Sequence, residues 1–288
     1  MPRAEQGQVA CPDCAKPGTM PTMPHSVLAP VLSVSPLAPN HYVLTCHAPS
    51  LAREARPGHF VNVRADDQGF DPFLRKPFSI YTADTQTGNI SLLFSIVGSV
   101  TQSMVRKRAG DTIDLVGPLG GHVFAPPPAL DTRHILVGGG YGVPPLVFLS
   151  RTLLASTPAL EIAFVIGART KDLLLCEAEL RAAGVPTHTA TDDGSHGTLG
   201  LVTDVLRPML AQNAQRPVAV YCCGPTPMMR AVGELCTAHQ VSCQLSVEVA
   251  MPCGIGVCMG CVLDLADGRR VRCCVDGPVF QASEVAWS

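Results

Sequence analysis

Between residues 26 and 123, apolar positions fall in short runs divided by Pro, Gly, Asn and Asp. The runs are VLAPVLSVSPL (27–37), HYVLTCHA (41–48), HFVNVRA (59–65), KPFSIYTA (76–83), NISLLFSIVG (89–98) and DTIDLVGP (111–118). β-rich runs at this close spacing predict an antiparallel barrel or sandwich. Among them only SVTQSMVRKRAG (99–110) reads as helical.

Past Pro126-Pro127-Pro128 the pattern changes. Strand-like runs at His134–Val137, Glu161–Gly167, Thr187–Thr191 and Ala219–Cys222 alternate with helix-like runs. The latter are Pro145–Leu154, Leu173–Ala183, Leu199–Leu210 and Thr226–His239. Such alternation predicts a parallel sheet covered by helices. The tail from about Ser246 is too short for a full domain and needs a metal or a partner to hold its shape. Residues 1–25, rich in Pro, Gly and Met, show no periodicity and are expected to form a flexible extension. The expected organisation is therefore an extension (1–25), a β domain (26–126), an α/β domain (127–243) and a small C-terminal domain (244–288).

The 288 residues are 47% hydrophobic and 15% charged, enough material for buried cores. A formal net charge of -2 with no basic stripe argues against a nucleic-acid binder. No run of about 18 apolar residues suggests a membrane span. The N-terminal MPRAEQGQVACPDC lacks the apolar stretch of a secretory signal, so a cytoplasmic protein is expected. Its thirteen cysteines are odd in number and clustered, which argues against a disulfide scaffold. Cys46, Cys176, Cys236 and Cys243 are scattered singly and are expected to pack as small hydrophobes. Cys11 and Cys14 form a C-x2-C pair with no second half.

Four motifs carry chemistry. HILVGGGYGVPPLVFL places Gly138, Gly139, Gly140 and Gly142 between a strand and a helix, the arrangement that lets backbone approach a pyrophosphate. Pro144 and Pro145 suit a first helical turn. The common dinucleotide fingerprint is not met, because Pro145 stands at its third glycine and Glu161 begins the second strand instead of closing it. In a second strand-to-helix turn, Cys223, Gly224 and Pro225 are expected to line the same cleft, since ligands of open α/β sheets sit at strand carboxyl ends. In the β domain, Lys76, Pro77, Phe78 and Ser79, with Leu93, Phe94, Ser95 and the loop Gly98, Val100, Thr101, combine a cation, aromatics, hydroxyls and a helix start suited to a flavin. Finally, Cys253, Cys258 and Cys261 give C-x4-C-x2-C with a further cysteine at 273 or 274, the plant-type spacing of a [2Fe–2S] cluster. Structural zinc, the competing reading, usually pairs two short knuckles instead of crowding three ligands into one loop.

Taken together, LRKPFSI, IVGSVT, ILVGGGYGVPPL, TDDGSHGTLGLVTDVL, CGPTPMM, SVEVAMPCGIGVCMGC and CVDGPVF resemble the electron-transfer subunits of NAD-dependent dihydroorotate dehydrogenases, within the wider ferredoxin-reductase group. The resemblance covers about residues 26–285. It implies an N-terminal antiparallel β-barrel for FAD, a central α/β domain for NAD and a C-terminal [2Fe–2S] domain. It further implies a partner subunit that holds FMN and oxidises dihydroorotate in pyrimidine biosynthesis, in a heterotetramer of two of each chain. Electrons would run from that FMN through [2Fe–2S] and FAD to NAD+. The family has Arg-Pro where this chain has Lys76-Pro77, with Arg75 one place earlier, so both cations are candidates for the flavin phosphate. Val100 stands where the family often has glycine. The fourth cluster ligand, three positions before Gly-Pro-Val-Phe, is Cys274 by the resemblance, and strand alternation would turn the neighbouring Cys273 away. Cys223 is expected near the nicotinamide–flavin contact. Thr191-Asp192-Asp193 closes the third strand and, if beside the adenosine ribose, favours NAD over NADP. The alternatives are a reductase subunit of another flavin/iron–sulfur complex, such as a sulfite reductase or hydrogenase, a stand-alone ferredoxin reductase, and a zinc-stabilised binding module without redox activity.

Overall fold

A computed structural model describes residues 24–64, 74–129, 131–157, 160–211 and 216–287. The Cys11/Cys14 pair and Phe73 lie outside these described residues, as does the expected extension up to residue 23; its last residue, His25, opens a strand. Every expected β-rich run becomes a strand: β1 (His25–Ala38), β2 (His41–His47), β3 (Phe60–Arg64), β4 (Lys76–Asp84), β5 (Asn89–Ser95) and β6 (Thr112–Leu119). They close in the order β1-β2-β5-β4-β3-β6, a barrel and not a sandwich. Alternate residues such as Ala29, Val31, Leu44, Cys46, Leu92 and Leu115 point inward and fill it. Helix α1 (Pro49–Glu54) is an addition, too short to show an apolar period. Helix α2 (Ser99–Arg106) is the expected one.

The α/β region runs β7 (Arg133–Gly139), α3 (Val143–Ser156), β8 (Ile162–Ala168), α4 (Glu177–Ala182), β9 (Thr187–Thr191), β10 (Thr198–Leu199), α5 (Val202–Ala211), β11 (Val218–Cys223), α6 (Thr226–Ala238) and β12 (Ser242–Ser246). Two helices start later than the apolar pattern indicates. Cys176 takes a left-handed φ of 63°, so α4 begins only after it. The Asp204 carboxylate accepts the Leu201 N–H at 2.8 Å, which fixes the start of α5 one residue on.

The tail folds as a hairpin of β13 (Val262–Asp264) and β14 (Arg270–Arg272), a turn of helix α7 (Cys273–Asp276) and a last strand β15 (Val279–Gln281). The large sheet has the order β10-β9-β8-β7-β11-β12-β15, parallel except where β15 runs antiparallel to β12. The tail is thus stitched into the sheet, and the expected boundary between 243 and 244 falls within β12. It is tied to the barrel as well: the N–H groups of Gly121 and His122 both donate to the Gly277 carbonyl, at 2.7 and 2.9 Å.

Helix α3 joins barrel and sheet. Apolar on nearly every side, it is a helix built for burial. Leu146, Val147 and Leu149 pack into the sheet core with Leu136, Phe164 and Tyr221. Phe148 instead enters the barrel core beside Ile80, Leu92 and Phe94. Phe148→Ala should therefore cost about 3–5 kcal/mol and weaken both halves together, read by denaturant unfolding. A loss below about 1 kcal/mol, in the range of a surface change, would show that Phe148 is not the joint.

Candidate functional site

Two cavities of about 670 Å3 each open on either side of the glycine loop. The barrel cavity collects every barrel residue expected at a flavin: Lys76, Pro77, Phe78, Ser79, Leu93, Phe94, Ser95, Gly98, Val100 and Thr101. Strands β4 and β5 bring the first seven together, and α2 begins at its edge. The Thr101 hydroxyl oxygen accepts the N–H groups of Val97 and Gly98 at 2.9 and 3.1 Å, which holds the loop before α2. The first N–H groups of that helix have no carbonyl upstream and remain available to an anion. The two candidate cations separate. Arg75 donates to the Asp114 carbonyl at 3.2 Å and pairs with its carboxylate, whereas Lys76 is exposed on the cavity wall.

The second cavity lies at the carboxyl ends of the parallel strands. Of the expected nucleotide residues, Gly139, Gly140 and Pro225 line it; Gly138, Gly142 and Gly224 do not. Gly142 serves packing instead, since a Cβ there would stand 2.0 Å from the Cys223 carbonyl oxygen. The two turns interlock at that point. Asp192 lines the cavity, while Asp193 is occupied by the Ser195 N–H and hydroxyl, at 3.0 and 2.6 Å. Glu161, at the far end of the sheet, pairs with Arg133 at 3.0 Å and Arg216 at 3.3 Å. Cys223 lines neither cavity. Its thiol is fully buried and hydrogen-bonded to Ser246, and burial, with the Glu248 charge and Cys222 nearby, pushes it well above the usual thiol range. It is a neutral thiol one layer behind a wall that Ser246 and Glu248 form.

The cysteine loop starts where that wall ends. Val249 and Met251 still line the barrel cavity, and Cys253 follows two residues on. The Asn62 amide of β3 donates to the Cys253 carbonyl at 2.9 Å. Gly254, with φ +69°, lies so close that a Cβ would stand 2.6 Å from that amide nitrogen. Four thiols gather as two pairs. Cys261 and Cys274 are 3.2 Å apart, and Cys258 donates both its thiol and its N–H (3.5 Å) to the Cys253 sulfur. Burial alone would raise the Cys253 thiol, but the N–H groups of Cys258, Ile255 and Val257 more than offset this and bring it down to about 6. Gly260 donates to the Cys258 sulfur at 3.4 Å and Cys274 to the Cys261 sulfur at 3.5 Å. Burial and the neighbouring Cys261 push the Cys274 thiol up to about 12. Two pairs of thiols suit two irons, each needing two thiolates. Among the described residues, no three His, Cys, Asp or Glu side chains converge as a single ion requires. Cys273 and Cys274 sit in a helical turn, not in the strand that alternation assumed. Cys273 is buried there, its thiol directed at the Val247 carbonyl at 3.6 Å.

One group escaped sequence reasoning. Glu248 is accessible through the open barrel cavity, yet the walls around it withdraw enough water to push its carboxyl up to about 6. Its only trace in the sequence is a single acid in the apolar run SVEVAM. A carboxyl that holds its proton more tightly in the fold than in the unfolded chain favours the fold below its ordinary value, 4.5, and that advantage is lost as the pH rises through about 6. Glu248→Gln should therefore flatten this part of the stability–pH curve of the flavin-free chain, measured by urea unfolding. A variant whose curve still falls like the wild type's over that range contradicts the assignment.

The iron–sulfur cluster binding domain of dihydroorotate dehydrogenase B matches residues 248–286, and the oxidoreductase NAD-binding domain matches residues 136–234. The "dihydroorotate dehydrogenase B (NAD(+)), electron transfer subunit" of Geobacillus kaustophilus is 40% identical over 252 residues, covering 86% of this chain and 94% of that protein. The protein of the same name from Desulforamulus reducens is 34% identical over 262 residues, covering 90% and 97%. Among solved structures, a chain of an NADH-dependent reduced ferredoxin–NADP oxidoreductase, studied for flavin-based electron bifurcation, superposes with a TM-score of 0.77 at 30% identity, covering 94% of this chain and 92% of that one. Ferredoxin–NADP+ reductase from Plasmodium falciparum, at 19% identity and a TM-score of 0.60, covers 75% of this chain and 90% of its own and shares the fold. With this extent of identity over nearly the whole chain, the protein belongs to the family of dihydroorotate dehydrogenase B electron-transfer subunits.

Proposed function

We propose that this chain passes electrons from an FMN-containing dihydroorotate dehydrogenase subunit to NAD+, using FAD in the barrel cavity and a [2Fe–2S] cluster in the cysteine loop. The observation that carries this reading is the continuity of one stretch. Ser246, Val247, Glu248, Val249 and Met251 wall the barrel cavity, and the chain leads directly from them into the loop of Cys253, Cys258 and Cys261. When bound, the flavin supplies the exchange between hydride and single electrons, and the cluster carries single electrons.

The chain's own residues supply the holding and the exclusion of water. Lys76 is the free cation for the flavin phosphates, because Arg75 is spent on Asp114. The start of α2 adds backbone N–H groups for the same anion. Phe78, Leu93 and Phe94 give the cavity an apolar wall. Gly139, Gly140 and Pro225 take the nucleotide in the second cavity, and the Asp192 carboxylate there repels a 2′-phosphate, favouring NAD over NADP. Cys223 supports that wall of the barrel cavity from behind and acts on the rings through Ser246 and Glu248. Cys253 with Cys258, and Cys261 with Cys274, would hold the cluster, and Asn62 fixes the loop.

The loop also offers a face for that partner. Ile255, Val257 and Met259 are 51%, 75% and 57% exposed around the exposed Cys258. Apolar side chains clustered on a surface mark a docking face. A catalytic subunit covering them brings its FMN to the cluster, and two of each chain complete a cytoplasmic heterotetramer. Among the described residues no helix is long and apolar enough to cross a membrane. A second reading, a reductase subunit of another flavin/iron–sulfur complex, draws on the likeness to the ferredoxin–NADP oxidoreductase chain.

Two tests follow. Cys274→Ser should lose the cluster, seen as loss of visible absorption and of iron with acid-labile sulfide, whereas Cys273→Ser should keep most of it. Equal loss in both would contradict the division, and zinc in place of iron would sink the redox reading. The native complex captured through this chain should reduce NAD+ with dihydroorotate, while the chain alone accepts electrons from NADH and ignores dihydroorotate. Oxidation of dihydroorotate by the chain alone would sink the subunit reading, and a complex that turns over another donor only would replace this proposal with the second reading.

A further inference from the structure

Very few side chains line both cavities, and Tyr141 is the largest of them. It stands in the glycine loop with its ring against His41, the centroids 5.8 Å apart. Its hydroxyl shares a hydrogen bond with the Ser95 hydroxyl. Strand register explains the seat, since His41 of β2 pairs directly with Ser95 of β5. His41 is fixed in turn by the Pro39 carbonyl at 2.7 Å. The tyrosine thus rests on two barrel residues while its backbone belongs to the nucleotide loop.

This position obstructs the reaction proposed for the two cavities. Hydride passes only when the reacting atoms approach to about 3–3.5 Å. A phenol ring lining both cavities would stand between a flavin in one and a nicotinamide in the other. The ring is also lightly held: Tyr141 is 43% exposed, and a Cβ built on the preceding Gly140 meets nothing within 4 Å. A hydroxyl bond to Ser95 and a ring contact with His41 hold it in place.

We propose that Tyr141 is a gate between the flavin and nicotinamide sites, tethered to Ser95 while the nucleotide cavity is empty and displaced when the nicotinamide ring enters. The inference rests on the assignment of the two cavities made above. Tyr141 acts as a positioning residue. It occupies the face that the nicotinamide needs, so the flavin is covered until the nucleotide arrives.

The gate makes nicotinamide entry work against the tether, and ADP-ribose, which lacks that ring, does not. In the full flavin-loaded chain, Tyr141→Phe keeps the ring and removes only the hydroxyl. By calorimetry it should bind NAD+ about fivefold tighter than wild type, the value of one ordinary hydrogen bond, with ADP-ribose affinity unchanged. Ser95→Ala cuts the same tether from the other end and should match it, and the double variant should gain nothing more. Unchanged or weaker NAD+ binding in Tyr141→Phe overturns the gate and makes the tyrosine part of the nicotinamide wall. Wild-type chain that binds neither NAD+ nor ADP-ribose overturns the cavity assignment itself, and the gate with it.

Discussion

The junction between the cysteine loop and the barrel is the contact on which the rest of the structure depends. An Asn62 amide on the Cys253 carbonyl, a glycine where no Cβ fits, and the Gly277 carbonyl shared by Gly121 and His122 press a short tail against the barrel. The tail has almost no core of its own. It borrows one, with Cys261, Leu265, Cys273 and Cys274 packing into the same cluster as Ile135, Val220 and Leu245 of the sheet. Because the loop is held there, the wall of the barrel cavity and the cysteines proposed to hold the cluster become neighbours along a single stretch of chain. Electron transfer demands that proximity, and the fold provides it without a rigid domain around the cluster.

The same economy appears at the other seam. Gly142 has no room for a Cβ beside the Cys223 carbonyl, nor Gly224 beside Met228 and the Gly139 backbone, and of the loop's glycines only Gly139 and Gly140 line the second cavity. A glycine-rich loop that reads as one device for phosphate therefore divides its glycines between packing and binding. Helix α3 starts directly from this loop and sends Phe148 into the barrel, so the position of the loop is set by both cores at once.

Much of this was legible in the sequence because local periods survive tertiary packing. The barrel strands follow from alternation, and the cysteine spacing fixes the cluster loop through chemistry alone. Legibility ended where long-range pairing decides the outcome. β12 and β15 are short strands whose pairing with each other ties the tail to the sheet, and nothing in SCQLS or VFQ announces that. The apolar run Leu173-Leu174-Leu175 looks helical, but the left-handed Cys176 breaks it. Arg75 and Lys76 were equivalent on paper until Asp114, distant in sequence, claimed the arginine. Glu248 and Tyr141 gain meaning only from the cavities they line, which are products of the assembled domains.

The central claim is that one chain holds a hydride acceptor and a one-electron carrier in contact. An anaerobic titration of the cofactor-loaded chain with NADH, followed by visible absorption and electron paramagnetic resonance, tests it most directly. The chain should take up about three electron equivalents, two at the flavin and one at the cluster, with the resonance of a reduced [2Fe–2S] centre appearing during the titration. Uptake that stops after the flavin, with no paramagnetic cluster signal at any point, would contradict it.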